Sequence, residues 1–128
     1  MIYSYQITIK GKFADIDSAL RKSLKEQGFG IITEIDVKAT MQEKLNVEFR
    51  NYKILGACNP VIAHEALSVE PEIGLLLPCN VVLWENDDES VTVAAIDAGK
   101  LLSITGRDDL TETAEHVNGL LNAAVDAV

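Results

Sequence analysis

The sequence predicts an α+β domain: a single layer of mainly antiparallel sheet with helices packed on one face. Its helix and strand patterns do not alternate strictly, since they run in the order βαβαβαβββα or close to it. Two apolar runs, residues 80–85 and 91–96, flank a polar turn at residues 86–89 and predict a hairpin, which requires antiparallel strands. The length of 128 residues fits one domain, residues 1–128, without a linker or a tandem repeat.

The first half of the chain contains two predicted strands, each followed by a helix. In residues 2–10, apolar and polar residues alternate with the period of two that is typical of a half-buried strand. From Phe13, apolar residues recur at helical spacing until Gly28, where the helix should end. Residues 30–37 form the second predicted strand, and residues 38–46 form a short helix.

The second half of the chain opens with a predicted strand at residues 52–57. Asn59 is a favoured N-cap and Pro60 fits the first helical position, so a short helix begins there. Residues 75–85 have strand character, which Pro78 interrupts. An internal proline predicts an edge strand or a bulge.

The chain ends in a long predicted helix. After a loop that begins at Asp97, apolar residues continue at helical spacing through residues 110–128. Asp109 and Glu112 have capping-box spacing at its start. Gly119 weakens this helix by about 1 kcal/mol relative to alanine.

Composition and charge exclude several classes of function. With 48% hydrophobic and 24% charged residues, the chain is globular rather than disordered. A net charge of −9 without a Lys/Arg cluster argues against binding nucleic acid or an anionic membrane, because phosphates need a basic surface. The N-terminus lacks signal-peptide features, and no apolar run reaches the ~20 residues of a membrane helix. We therefore expect a cytoplasmic protein whose two cysteines are free thiols.

Two cysteine–asparagine pairs are the strongest candidates for a site. Cys58-Asn59 and Cys79-Asn80 contain the only cysteines of the chain, and each pair adjoins a proline. Cys58 precedes a predicted helix N-terminus, where the helix dipole can lower the pKa of a thiol. The alternative is that both thiols are small buried residues. Asn80 either fixes a turn or lines a polar pocket.

Glu34 and Asp36 form a second candidate, because residues two apart on a strand share one face of a sheet. If that face is covered, the pKa of one carboxyl rises, and the pair could act as a general acid and base or hold a cation. If the face is open, both are simply its polar residues, with Lys44 as a candidate counter-charge. His64 and His116 are predicted to be solvated helix residues. We expect no metal site, and no cofactor motif is recognisable.

Five segments of the chain carry a family resemblance: residues 30–36, 44–45, 52–60, 64–67 and 74–81. In this order they closely match the domain-of-unknown-function family numbered 302, which the chain therefore resembles. The resemblance implies a compact α+β fold related in layout to the TATA-binding-protein-like folds. It also implies a homodimer of bacterial origin, and it implies no activity.

The resemblance also identifies signature positions in this sequence. They are Glu34, Asp36, Lys44, Cys58, Asn59, Pro60, Cys79, Asn80 and Asp97. The chain departs from the family at Ala98, where members often have proline after the aspartate. This departure bears on the loop that follows the hairpin.

Three functional hypotheses follow from these residues. The first is a homodimeric binding module that holds a small ligand or an ion in a pocket formed by the two cysteine–asparagine pairs, with Glu34 and Asp36 nearby. The second is a structural or regulatory dimer without a site. The third is a thiol-dependent redox enzyme, in which Cys58 is the nucleophile and Cys79 the resolving partner. The sequence does not decide whether the protein is an enzyme.

Overall fold

The computed structural model describes residues 2–128, in which five strands form one sheet. The strands are β1 (Ser4–Lys10), β2 (Gly30–Asp36), β3 (Tyr52–Cys58), β4 (Cys79–Glu85) and β5 (Ser90–Ile96). They lie in the order β1-β5-β4-β3-β2, and each neighbouring pair is antiparallel. The predicted α+β class with an antiparallel sheet is confirmed.

Five α-helices and two 3₁₀ segments lie between or after the strands in the described residues 2–128. The α-helices are α1 (Phe13–Glu26), α2 (Val37–Leu45), α3 (Pro60–Val69), α4 (Ala98–Ser103) and α5 (Thr111–Asp126). Two 3₁₀ segments, Pro71–Leu76 and Asp108–Leu110, follow α3 and precede α5. Apart from α4, each α-helix lies where the hydrophobic spacing predicts one.

The main core lies between one face of the sheet and the helices α1 and α5. Alternating residues of the strands supply the sheet side, and the apolar stripes of the two helices cover them. The sheet side contains Leu55, Ala57, Cys79, Val81, Leu83, Val91, Val93 and Ala95, and the helix side Ile16, Leu20, Leu24, Val117, Leu121, Ala124 and Val125. The opposite, open face carries Tyr52, Ile54, Val82 and Trp84, which are only half-buried.

A second, smaller core lies beside the main one. It joins α3 and the segment Pro71–Leu76 to α4 and the start of α5. Its buried members are Ala66, Ile73, Leu102, Leu110 and Ala114. We call it the satellite core.

Two predictions around β4 are wrong. Residues 75 and 76 belong to the 3₁₀ segment that begins at Pro71, so the strand does not start before Cys79. Pro78 therefore precedes β4 rather than interrupting it. β4 is also not an edge strand, because it lies between β5 and β3. Its proline is tolerated because the ladder with β3 begins one residue later, at Cys79.

The connection after the hairpin also differs from the prediction. The expected loop contains the short helix α4, which Asp97 caps: its carboxylate accepts a hydrogen bond from the Lys100 backbone N–H at 3.0 Å. The expected capping box before α5 does not form. Leu110 is the N-cap without a side-chain bond, and Asp109 pairs instead with Arg107 at 2.7 Å.

Gly56 permits a close approach between β2, β3 and the chain before β4. A Cβ atom at this position would lie 2.7 Å from Pro78 Cγ and would also overlap the Thr33 side chain. Both neighbours are short and close to the backbone, so neither can move aside freely. Gly119, in α5, has open space around the corresponding position.

These two glycines should therefore respond in opposite ways to alanine. Gly56→Ala should lower the free energy of unfolding by about 1–3 kcal/mol through overpacking. Gly119→Ala should raise it by up to about 1 kcal/mol through helix propensity. Urea unfolding of both variants checks this pair, and an unchanged stability of Gly56→Ala would contradict the described register of β2 and β3.

Candidate functional site

The last residues of β3 lie beside the first residues of β4, and the candidate site lies at this end of the sheet. Ala57 is paired with Cys79 in the antiparallel register. The chain leaves β3 through Cys58 and Asn59 and enters α3 at Pro60. Asn59 has the predicted capping role, since its side-chain oxygen accepts a hydrogen bond from the Ile62 backbone N–H at 3.3 Å.

A cavity of about 220 Å³ opens beside these strand ends. The end of the sheet, α3, α4 and α5 surround it. Its walls include Phe29, Ala57, Cys58, Asn59, Ile62, Ala63, Ala66, Cys79, Ala98, Leu102, Thr113 and Val117. Every residue that lines the cavity is uncharged, and most are apolar.

The two thiols differ in exposure. Cys79 is buried, whereas Cys58 is half-buried, and both are free cysteines. Burial in apolar surroundings, followed by the proximity of Cys58, raises the pKa of the Cys79 thiol from 9.0 to about 11. At neutral pH Cys79 is therefore protonated and is a poor nucleophile or metal ligand. Because Cys79 is paired with Ala57, Cys58 is its diagonal neighbour rather than its direct partner.

The structure brings together three of the six predicted site residues. Cys58, Asn59 and Cys79 line the cavity. Asn80 does not, because it follows Cys79 on a strand and its side chain lies on the open face, beside Val82. Asn80 is exposed, so it requires no buried polar partner.

Glu34 belongs to an ion-pair cluster away from the cavity. Its carboxylate pairs with Arg21 and, at 3.4 Å, with Lys53. The same two cations bind Asp17, at 2.8 and 2.9 Å. The Arg21 hydrogen bond holds the pKa of Glu34 below its usual value, so the rise that a covered face would cause does not occur at Glu34.

Asp36 has a structural role at the end of β2. Its carboxylate accepts a hydrogen bond from the Ala39 backbone N–H at 3.0 Å and so caps α2. The counter-charges of Glu34 are Arg21 and Lys53 rather than Lys44. The two carboxylates therefore act separately instead of forming a shared acid–base or cation site.

Asp97 and Ala98 fix the start of α4 against α5. The Asn118 side chain makes two bonds. Its Nδ2 donates to the Asp97 carboxylate at 3.0 Å, and its Oδ1 accepts from the Ala98 backbone N–H at 2.6 Å. The hydrogen bond from Asn118 is the main cause of a lowered Asp97 pKa. Proline has no N–H, so the alanine at this position allows a bond that the proline expected from the family resemblance could not make.

The sequence did not reveal most of the cavity walls. Phe29, Ile62, Ala66, Leu102 and Val117 are ordinary apolar residues from four separate parts of the chain, with Ile62 and Ala66 both in α3. Their helical or strand spacing indicates burial, but spacing does not tell which buried residues surround empty space. Leu102 was missed for a further reason, because its helix α4 was not predicted.

No group of three or more His, Cys, Asp or Glu side chains within residues 2–128 is arranged to hold a metal ion. Over the same residues, no helix is both long and apolar enough to span a lipid bilayer.

The fold and the cavity together define a class: an α+β domain with one antiparallel sheet, helices on one face, and an uncharged cavity where the central strands end. The chain belongs to the family described as Domain of unknown function DUF302, whose sequence model matches residues 5–128. This confirms the resemblance seen in the sequence. No curated protein matches the chain.

A solved structure has the same fold. The chain is similar to the "uncharacterized conserved protein DUF302 from Bacillus stearothermophilus", with a TM-score of 0.91 and 25% sequence identity. The similarity covers 99% of this chain and 98% of the other.

The raised pKa of Cys79 predicts a pH dependence of stability. Between pH 9.0 and about 11 the unfolded chain loses the thiol proton while the folded chain keeps it. The contribution of the Cys79 thiol to the free energy of unfolding is therefore complete below pH 9.0. It should fall by about 2–3 kcal/mol as the pH passes through this range. Cys79→Ala should remove this part of the decrease. Urea unfolding of both proteins from pH 8 to 11 measures the difference, and parallel curves would contradict the burial of the thiol.

Proposed function

We propose that this protein is a binding module for a small, uncharged, mostly apolar molecule, held in the cavity at the ends of β3 and β4. The proposal rests on one observation: a cavity of about 220 Å³ whose lining contains no charged side chain. Ligand pockets are mostly apolar, with a few polar groups that fix orientation. Here Asn59 and Thr113 are the polar side chains, beside the two thiols.

The size of the cavity limits the ligand. An apolar protein cavity of about 150 Å³ binds benzene. The present cavity is somewhat larger, so a single ring with a short alkyl chain is of suitable size. A charged ligand would lose its hydration without gaining a counter-charge, which is costly in an apolar site. For the same reason, the cavity supports a neutral molecule better than the ion of the original hypothesis.

The thiols have a passive role in this proposal. In the redox hypothesis Cys79 is the resolving partner of Cys58, and the raised pKa of Cys79 opposes the thiolate that a resolving cysteine needs. The protonated Cys79 thiol is small, polarizable and weakly polar, so it suits the wall of an apolar pocket. Two free thiols also fit a reducing compartment, and we place the protein in the cytoplasm on this ground.

Binding of n-butylbenzene, with benzoate as the charged comparison, tests the proposal. We expect n-butylbenzene to raise the Tm and to shift the amide NMR signals of α3 and of residues 57–59, because a ligand that binds only the folded state stabilises it. Benzoate should do neither. Ala63→Leu, which fills the cavity from α3, should weaken binding by about tenfold or more.

Ala123→Leu is the matched control for this experiment. Ala123 is exposed on α5 and does not line the cavity, so the variant should bind n-butylbenzene like the parent protein. Equal loss of binding in both variants, or signal shifts on the open face of the sheet, would exclude the cavity as the site.

We also propose that the protein forms a homodimer through the surface of α2 and the residues that follow it, residues 37–50. No residue of α2 is buried, although Val37, Met41 and Leu45 form an apolar stripe at helical spacing. Leu45 is 65% exposed, and Val47 and Phe49 are exposed beside it. A nine-residue helix has little stability alone and normally relies on packing of its apolar face.

The charges of this surface suit a second copy of the chain. The whole chain has a net charge of −9, so most of its surface repels another copy. Residues 37–50 instead have a net charge of +1, from the three basic residues Lys38, Lys44 and Arg50 and the two acidic residues Glu43 and Glu48. Two such surfaces can meet with their opposite charges paired.

Leu45→Glu should separate the dimer. The substitution places a carboxylate at an exposed apolar position, which a dimer would bury twice. Light scattering during size-exclusion chromatography should give twice 13.9 kDa for the parent protein and 13.9 kDa for the variant. Leu75→Glu changes a residue that is 86% exposed near α3, outside this surface, and should remain dimeric. A parent protein that is monomeric at all concentrations would refute the proposal.

A further inference from the structure

Residues 60–76, comprising α3 and the 3₁₀ segment Pro71–Leu76, form a segment that we call the flap. It leaves the sheet after Cys58-Asn59 and returns through Leu77-Pro78 to Cys79. The antiparallel pair of Ala57 and Cys79 holds the two ends of the flap next to each other. A loop whose ends are fixed close together can move as a unit without disturbing the sheet.

The flap makes few polar contacts with the rest of the chain. Within residues 2–128, its backbone hydrogen bonds outside α3 stay inside the segment or join it to its flanking residues, such as Ile73 N–H to Glu70 O at 3.0 Å and Leu77 N–H to Gly74 O at 3.4 Å. Apart from the Asn59 cap, one bond reaches it from outside, from Arg107 Nη1 to Val69 O at the long distance of 3.5 Å. Lifting the flap from the rest of the protein would therefore break few hydrogen bonds.

Its apolar attachment is also small. The only buried residues of the flap are Ala66 and Ile73, and both belong to the satellite core rather than the main core. Ile62 is partly buried against the main core. Segments with few buried apolar contacts open at a lower free energy than global unfolding.

The cavity lies directly under the flap. Ile62, Ala63 and Ala66 form its wall on the flap side, while Ala57, Cys79 and Val117 form the wall on the side of the main core. The cavity is thus the space between the main core and the satellite core. A ligand can enter if the flap lifts away from Leu102, Leu110 and Ala114, which lie outside the flap, and the main core need not unfold.

We propose that residues 60–76 are a lid that opens when its residues Ala66 and Ile73 detach from the rest of the satellite core, and that this opening admits the ligand to the cavity. The role of the lid in ligand entry rests on the proposed function, whereas its opening does not. The two cysteine–asparagine segments then mark the fixed ends of the lid, and Asn59 and Pro60 define where its helix starts.

Alkylation of Cys79 measures this opening. A Cys58→Ala background leaves Cys79 as the only thiol, which is buried beneath the closed lid. With iodoacetamide at pH 9, we expect a labelling rate that hardly changes at low urea, because local opening exposes little surface. Ile73→Ala in this background should raise that rate by about tenfold or more, since it removes the main anchor in the satellite core.

Leu75→Ala is the matched control, because Leu75 lies in the same segment but is 86% exposed. Its labelling rate should equal that of the background. Hydrogen exchange should accelerate in residues 61–76 of Ile73→Ala and stay unchanged in β4 and β5. If Ile73→Ala does not fold, Leu110→Ala weakens the same anchor from the α5 side.

The results distinguish failure of the lid proposal from failure of the proposed ligand binding. Labelling of Cys79 that follows global unfolding at every urea concentration, with uniform acceleration of hydrogen exchange, overturns the lid even if n-butylbenzene binds. Local opening without binding of n-butylbenzene overturns the proposed ligand and leaves the lid in place. If both hold, saturating n-butylbenzene should slow the labelling of Cys79, because the ligand binds the closed form.

Discussion

The rest of the structure depends on the burial of one face of the sheet beneath α1 and α5. A single sheet has two faces, and here a pair of helices covers only one of them, with Val81, Leu83, Val91 and Val93 fully buried there. Because strand residues alternate between faces, this cover decides the environment of every side chain in the central strands. Cys79 becomes a buried, protonated thiol on the covered face, and its neighbour Asn80 becomes an exposed amide on the open face.

Helices α1 and α5 bury only part of this face of the sheet, and the cavity lies at the end that they leave. Beyond Ala57 and Cys79 a second small group of helical segments continues the protection from solvent, with its own core around Ile73 and Leu102. The main core and the satellite core are two distinct clusters of buried residues. Space remains at their junction, and the side chains that border it come from both sides. Position in the fold explains this cavity better than any single residue does.

The sequence predicted the parts of the fold that depend on periodicity. The alternation of β1 and the stripes of α1 and α5 are present, because burial on one face selects such patterns. The Asn59-Pro60 helix start is also present, because a side-chain cap satisfies a backbone N–H within the same few residues. Local signals failed in two places. Residues 75 and 76 are apolar enough for a strand but end a 3₁₀ segment, in which Leu75 is exposed, and Asp109 pairs with its near neighbour Arg107 instead of capping α5. The candidate site was predictable only in part, since Cys58, Asn59 and Cys79 line the cavity but its apolar walls carry no distinctive sequence signal.

The two cysteine–asparagine pairs look equivalent in the sequence, yet their positions in the fold make them different. Asn59 follows the last residue of a strand, where its side chain is free to turn back and accept the Ile62 N–H. Asn80 lies inside a strand, where alternation directs it away from Cys79 and from the cavity. Only one of the two amides can therefore contribute to the site, together with both sulfur atoms. A pocket with so few polar groups selects its ligand by size and by the absence of charge more than by hydrogen bonding. The paired motif thus identifies the family, and the apolar residues around it determine which ligand can bind.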